Sequence, residues 1–231
     1  MRKQFKFTRG IVAVAVLLAV ALVYVSAAAA KDAEPGKERW PIKTSLPADA
    51  EVDRSREVQL AKLILLEDPP GVKTRDKRYQ AARIPFVTWL DLKEGDIIST
   101  AGWLHLVAAE PDGDYHIQLS NNPTDGNHCL IVEVPKDEAR FVESPQVRQL
   151  AGEVREFIRH RFLKEKELSV HGVHVVKPAE YVKVTGQLFF DDSHVTEKKE
   201  NQNRGKKGMK AKTLWEIHPV TKIEAATPPQ R

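Results

Sequence analysis

The chain is read as mainly β with one core helix, and three features of its 231 residues carry that reading. From Gly95 onward apolar and polar residues alternate with a period of two, as half-buried strands require. Clusters of Asp, Asn, Pro and Gly interrupt the alternation at 110–114 and 121–127, where turn chemistry is favoured. Over 145–163 the apolar period lengthens to that of a helix and then returns to two.

Taken in order, Ile97–Ala109 is a long first strand with Gly102 where it can bend, and EPDGD at 110–114 turns the chain into YHIQL. There Tyr115, Ile117 and Leu119 face one way and Asp114, His116 and Gln118 the other. The loop NNPTDGN precedes a third strand at 128–135. Pro145 suits a first helical turn, and Val147, Leu150, Val154, Phe157, Ile158 and Phe162 form an apolar stripe. The fourth strand is expected at 181–192, with Gly186 at a close backbone approach, and the fifth at 214–224 after a loop over 197–212. The order β-β-β-α-β-β with a long curved first strand predicts an OB-like five-stranded closed barrel, since closure removes sheet edges. The competing arrangement is an open α+β sheet with the helix on one face.

Before the barrel, residues 1–10 carry Arg2, Lys3, Lys6 and Arg9 without an acid and lead into the apolar run Ile11–Val25. This is the layout of a signal peptide over 1–30, with Ala28 and Ala30 bracketing a cut before Lys31. Export to the periplasm or exterior is expected, and the only membrane contact foreseen is an uncleaved N-terminal segment extended through Ala30. Residues 31–71, rich in Pro and mixed charge, are read as a flexible extension. Helical spacing of Val58, Ala61, Ile64 and Leu65 places a short helix in it before Pro69. The barrel domain is then 72–224, and 225–231 a disordered tail.

The formal charge of +4 points to a polyanion partner only until the first thirty residues are set aside. They hold four of the 36 Lys and Arg residues and none of the 32 acids, which leaves 32 of each. The remaining basic character is local, with seven Lys or Arg in 197–212 against Glu197 and Glu200. A single cysteine, Cys129, excludes a disulfide within the chain and a Cys-rich metal site, and its apolar neighbours predict a buried thiol.

The segments VKTRD at 72–76, DGDYHIQLS at 112–120, LIVEVP at 130–135, VKVTGQLFFDDSH at 182–194 and WEIHPVTKIE at 215–224 occur together and in order. In these blocks the chain resembles a family of small exported bacterial proteins without an assigned activity, whose core is an OB-like or nuclease-like barrel. The resemblance covers about 72–224 and implies export and fold, but no catalytic residue. The lysine-rich 197–212 stretch departs from the compact glycine-containing loop expected there.

Three functional readings follow. The first is a binding module that contacts a polyanion, either nucleic acid or an envelope polymer, or an envelope protein. Its candidate residues are Lys199, Lys206, Lys207, Lys210 and Lys212 for charge, with Trp103 and Trp215 for stacking. The second is a divalent-metal-dependent phosphodiesterase or nuclease-like hydrolase using His116, His194, His218, Asp114 and Asp192, with Glu216 on the side of His218. Against it stand the absence of arginine from every expected strand, and the ordinary role of His and Asp in fixing strand ends. The third is a structural subunit of an envelope assembly. No His-Glu-x-x-His, Gly-x-Ser-x-Gly or phosphate-cradling glycine loop is present, so no cofactor beyond a divalent metal is indicated.

Overall fold

A computed structural model describes residues 38–196 and 204–230. Residues 1–30, read as a signal peptide, and Lys199 lie outside the described residues. Among the described residues no helix is long and apolar enough to cross a membrane.

Five long strands and one helix follow in the predicted order: β1 Ile97–Ala109, β2 Tyr115–Ser120, β3 Cys129–Val134, α1 Pro145–Phe162, β4 Val173–Phe190 and β5 Ala211–Ala225. Pairing runs β1-β2-β3-β5-β4 and returns from β4 to β1, so the sheet closes into an OB-like barrel. Every contact is antiparallel except β3 with β5, which is parallel. The open-sheet alternative is thereby excluded. Arg56–Glu57 adds a two-residue parallel strand beside β1.

Closure depends on β1 serving two neighbours. Its Ile97–Leu104 half pairs with β4 from Gln187 back to Glu180, Leu106–Ala108 pairs with Val175 back to Val173 after a register shift that bends the strand, and Trp103–Ala109 also pairs with β2 on the other side. At Gly186 a Cβ would stand 2.4 Å from the Pro219 carbonyl oxygen and 2.6 Å from Ile217 Cγ2, so only glycine lets β4 and β5 cross there.

Inward-facing residues fill the barrel, among them Ile98, Leu104, Ile117, Leu119, Leu130, Val132, Val184, Leu188 and Ile217. Helix α1 starts at Ser144, whose hydroxyl accepts the Val147 N–H, and it packs Ala151, Val154, Ile158 and Phe162 into this core. Arg161 reaches Glu180 at 2.7 Å from the helix edge.

Several boundaries differ from the sequence reading. β4 begins eight residues before the expected Tyr181, and β5 begins at Ala211, so Lys212 belongs to a strand and not to the basic loop. Both strands lengthen because each has a paired neighbour beyond its apolar stretch, which the alternation of one segment does not reveal. The helical spacing at 58–65 yields a single turn, Leu60–Leu63.

Within the stretch read as an extension, Arg39 and Lys43 are buried. Arg39 forms a bidentate pair with Glu94 at 2.7 and 2.6 Å and donates to the Phe190, Tyr79 and Ala82 carbonyls. These bonds strap residues 38–44 onto the outside of β4.

Gly186→Ala should lower the free energy of unfolding by about 1–3 kcal/mol, the cost of overpacking a filled site. Urea denaturation should show an earlier midpoint with an unchanged slope.

Candidate metal centre on the outer face of the barrel

Strand alternation that sends Tyr115, Ile117, Val132 and Ile217 inward sends Asp114, His116, Gln118, Glu133, Glu216 and His218 outward. The sheet register then brings them into rows. His116 pairs across from Glu133, and the parallel contact sets Ile131 beside Glu216 and Val132 beside Ile217, which carries His218 next to Glu133. Phe189 of β4 lies opposite Glu216 and continues the face.

His116 Nδ1 is 3.0 Å from Glu133 Oε1, a hydrogen bond. His218 Nδ1 is 3.2 Å from Glu133 Oε2, and its Nε2 is 3.5 Å from Asp114 Oδ2, but neither contact has hydrogen-bond geometry. Both ring nitrogens of His218, His116 Nε2 and Asp114 Oδ1 are buried without a hydrogen-bond partner. One ligand atom each from Asp114, Glu133 and His218 lie within 4.8 Å of one another, a spacing that could hold a metal ion.

Three segments distant in sequence wall this face. The strap brings Lys43, whose ammonium lies 2.9 Å from Asp112 and 3.5 Å from Asp114. The turn after β4 brings Asp191 and His194, joined at 2.6 Å. The stretch before β5 brings Arg204, paired with Glu216 and 3.2 Å from Asp191, and Lys206, 2.7 Å from Glu110. Together they enclose a cleft of about 410 Å³ that Arg75 also lines.

Carboxylates dominate its electrostatics. Asp112, Asp114, Glu133, Glu216, Asp191 and Glu110 face the paired cations Lys43, Arg204 and Lys206. Burial pushes the Asp114 carboxyl up to about 6, against the opposing pull of Lys43. Glu133 is also desolvated, yet its contacts with His116 and His218 hold it well below the ordinary carboxylate range. Burial alone would favour a neutral Lys43 amine, but Asp114, Asp112 and Glu133 overcome it and keep the ammonium charged. A cleft of this sign attracts a cation before an anion.

The structure thus brings Asp114, His116 and His218 together, and adds Glu133. Glu133 was legible in principle, because it sits on the polar side of β3 where a β2–β3 hairpin would place it opposite His116. His194 stands apart on Asp191, with 55% of its side chain exposed. Asp192 is not part of the group. Its Oδ2 accepts from the Asp76 N–H at 2.8 Å and from Gln80 at 3.3 Å, binding the turn after β4 to the lead-in before the barrel.

The residues expected to bind a polyanion lie in different surroundings. Trp215 has no exposed surface, stacks edge to face on Phe190 in the core and donates to the Glu67 carbonyl, so it offers no face to a base. Trp103 is half-buried and packs edge to face on Tyr181 at 5.2 Å. Lys206 turns into the acidic cleft, while Lys207, Lys210 and Lys212 are exposed. Cys129 is buried, and burial pushes its thiol up to about 11 despite a 3.0 Å contact from Gln118 Nε2. Arginine reaches the barrel face from loops, through Arg75 and Arg204, which removes the objection based on strands without arginine.

No family model matches the chain, and no curated protein or solved structure matches it.

Burial raises the Asp192 carboxyl to about 6, above its ordinary 3.8. Between those values the folded protein keeps a proton that the unfolded chain has lost, so the stability contribution of this group falls as pH rises through that window. Asp192→Asn does not titrate and can still accept the Asp76 N–H. Its melting temperature should rise relative to wild type between pH 4 and pH 6.5 and the difference then level off. A pH-independent difference in differential scanning fluorimetry would contradict this.

Proposed function

We propose that the outer-face cleft is the divalent-cation centre of a hydrolase acting on a phosphodiester or related phosphoryl bond. The supporting observation is the set Asp114, Glu133 and His218, whose ligand atoms lie within 4.8 Å of one another while the nitrogens of His218 and Asp114 Oδ1 lack hydrogen-bond partners. Each such buried polar atom costs about 1–3 kcal/mol, a cost that a bound cation would offset. Mixed carboxylate and imidazole donors suit Mn²⁺ or Zn²⁺ better than a thiolate-seeking metal.

A cation held there would polarise a phosphoryl oxygen and lower the pKa of an attacking water. The remaining steps fall to side chains of the chain. His116 donates from Nδ1 to Glu133, which leaves Nε2 to take the proton of the water as its oxygen bonds to phosphorus. As the P–O bond to the leaving group breaks, the departing oxygen takes the Nε2 proton of His194 in its imidazolium form, whose Nδ1–H donates to Asp191. One water is consumed, and solvent returns the two imidazoles to their starting states. If the N-terminal segment acts as an export signal, this chemistry takes place outside the cytoplasm.

A second reading has its own support. Lys207, Lys210 and Lys212 are exposed and make no ion pair with a described residue, so a polyanion or an envelope partner could meet the barrel beside the cleft.

Mn²⁺ at about 100 times its dissociation constant should stabilise the protein by about 2.7 kcal/mol. This should appear as a rise in melting temperature that is lost in Asp114→Asn/His218→Gln and kept when Lys207 and Lys210 are neutralised. Hydrolysis of bis(p-nitrophenyl) phosphate should require the metal and drop about 100-fold or more in His116→Gln, with Mn²⁺ affinity retained. Purified protein that binds no divalent ion would refute the proposal.

A further inference from the structure

The geometry points to Arg75 as the residue that anchors the anionic group of the substrate at the mouth of the cleft. This inference rests on the hydrolase reading and names the part of the site that selects an anion.

A cleft rich in carboxylates repels an anionic substrate unless an uncommitted cation lies in it. Three of its four cationic side chains are already matched. Lys43 is held by Asp112 at 2.9 Å and by Asp114, Lys206 by Glu110 at 2.7 Å, and Arg204 by Glu216 and Asp191. Arg75 also lines the cleft, and its guanidinium makes no ion pair or hydrogen bond with any described residue. Guanidinium is planar, permanently charged and able to present two parallel N–H donors to a phosphoryl group.

The backbone beneath that side chain is tightly determined. Arg75 has a φ of 51°, a left-handed conformation that residues with a Cβ adopt at a cost. Four hydrogen bonds hold it there. Its own N–H donates to the Asp192 carbonyl at 3.2 Å, and the Asp76 N–H donates to Asp192 Oδ2 at 2.8 Å. The Lys73 N–H donates to Asp76 Oδ2 at 3.1 Å, and the Thr74 hydroxyl donates to the Val195 carbonyl. Three of these bonds staple the 73–76 loop to the 191–195 turn that carries His194, and the Lys73–Asp76 bond closes the loop on itself. The Arg75 guanidinium and the proposed proton donor therefore sit on two loops joined directly by hydrogen bonds.

An anion gripped by Arg75 would lie in the cleft that Glu133, His218 and His194 also line. A merely solvated arginine would contribute nothing to anion binding, whereas an anchor would contribute with or without the metal.

The test is calorimetric titration of inorganic phosphate into wild type, Arg75→Gln and Arg75→Lys, each with and without saturating Mn²⁺. Arg75→Gln should weaken phosphate binding at least tenfold in both conditions, Arg75→Lys should recover part of the loss, and melting temperature and Mn²⁺ affinity should match wild type. Phosphate binding equal in wild type and Arg75→Gln, or absent from wild type in both conditions, overturns the inference. Loss of phosphate binding in Arg75→Gln together with a wild type that ignores Mn²⁺ would uphold the anion anchor and refute the hydrolase reading alone.

Discussion

Charge balance on the outer face of β2, β3 and β5 is the constraint to which the rest of the structure answers. Carboxylates taken out of water carry a desolvation penalty of several kcal/mol each unless a cation or hydrogen-bond donor meets them. The strands bring Asp114, Glu133 and Glu216 to one face with His116 and His218 but no lysine or arginine. Compensation comes from elsewhere: Lys43 from the strap, Arg204 and Lys206 from the approach to β5. The loops therefore fold over the sheet for the same reason that the acids can be buried beneath them.

The closed topology gives this face its shape. In an antiparallel meander β3 would have a free edge, and Glu133 would have His116 as its only facing neighbour. The parallel β3–β5 contact supplies the second neighbour, His218, and aligns Glu216 with Ile131. The long, bent β1 makes that contact attainable by letting β4 return to the start of the barrel and hold β5 in place. Apolar packing inside the barrel thus fixes the relative positions of polar groups outside it.

The cleft has two kinds of wall with different mechanical character. Its floor is strand backbone locked by ladder hydrogen bonds and by a core that includes α1. Its rim is made of loops joined to one another through Asp192, Asp76 and Thr74, and to the barrel through the Arg39–Glu94 pair. A rigid floor suits a ligand set that must keep its spacing, and a stapled rim suits groups that meet a larger substrate. The nitrogens of His218 that lack a partner among the described residues belong to the floor, and the guanidinium of Arg75, which pairs with no described residue, to the rim.

Period-two alternation, turn residues and one helical stripe were enough to determine the order of strands, the single helix, and which side of β2 carries Asp114 and His116, because these follow from local geometry. The need for glycine at 186 was legible for the same reason. The sequence could not determine partnership across the barrel. Whether His218 meets Glu133 depends on a parallel register between strands about eighty residues apart, and no local pattern encodes it. Nor could composition tell that Trp215 is core while Lys206 turns inward, since a tryptophan or lysine next to a strand is compatible with either face until the neighbours are known. Lys43 and Arg75 were passed over because no local pattern assigns either of them to the cleft. Only the closed barrel with its folded-over loops sets Lys43 against Asp112 and Asp114 and places Arg75 along the same cleft.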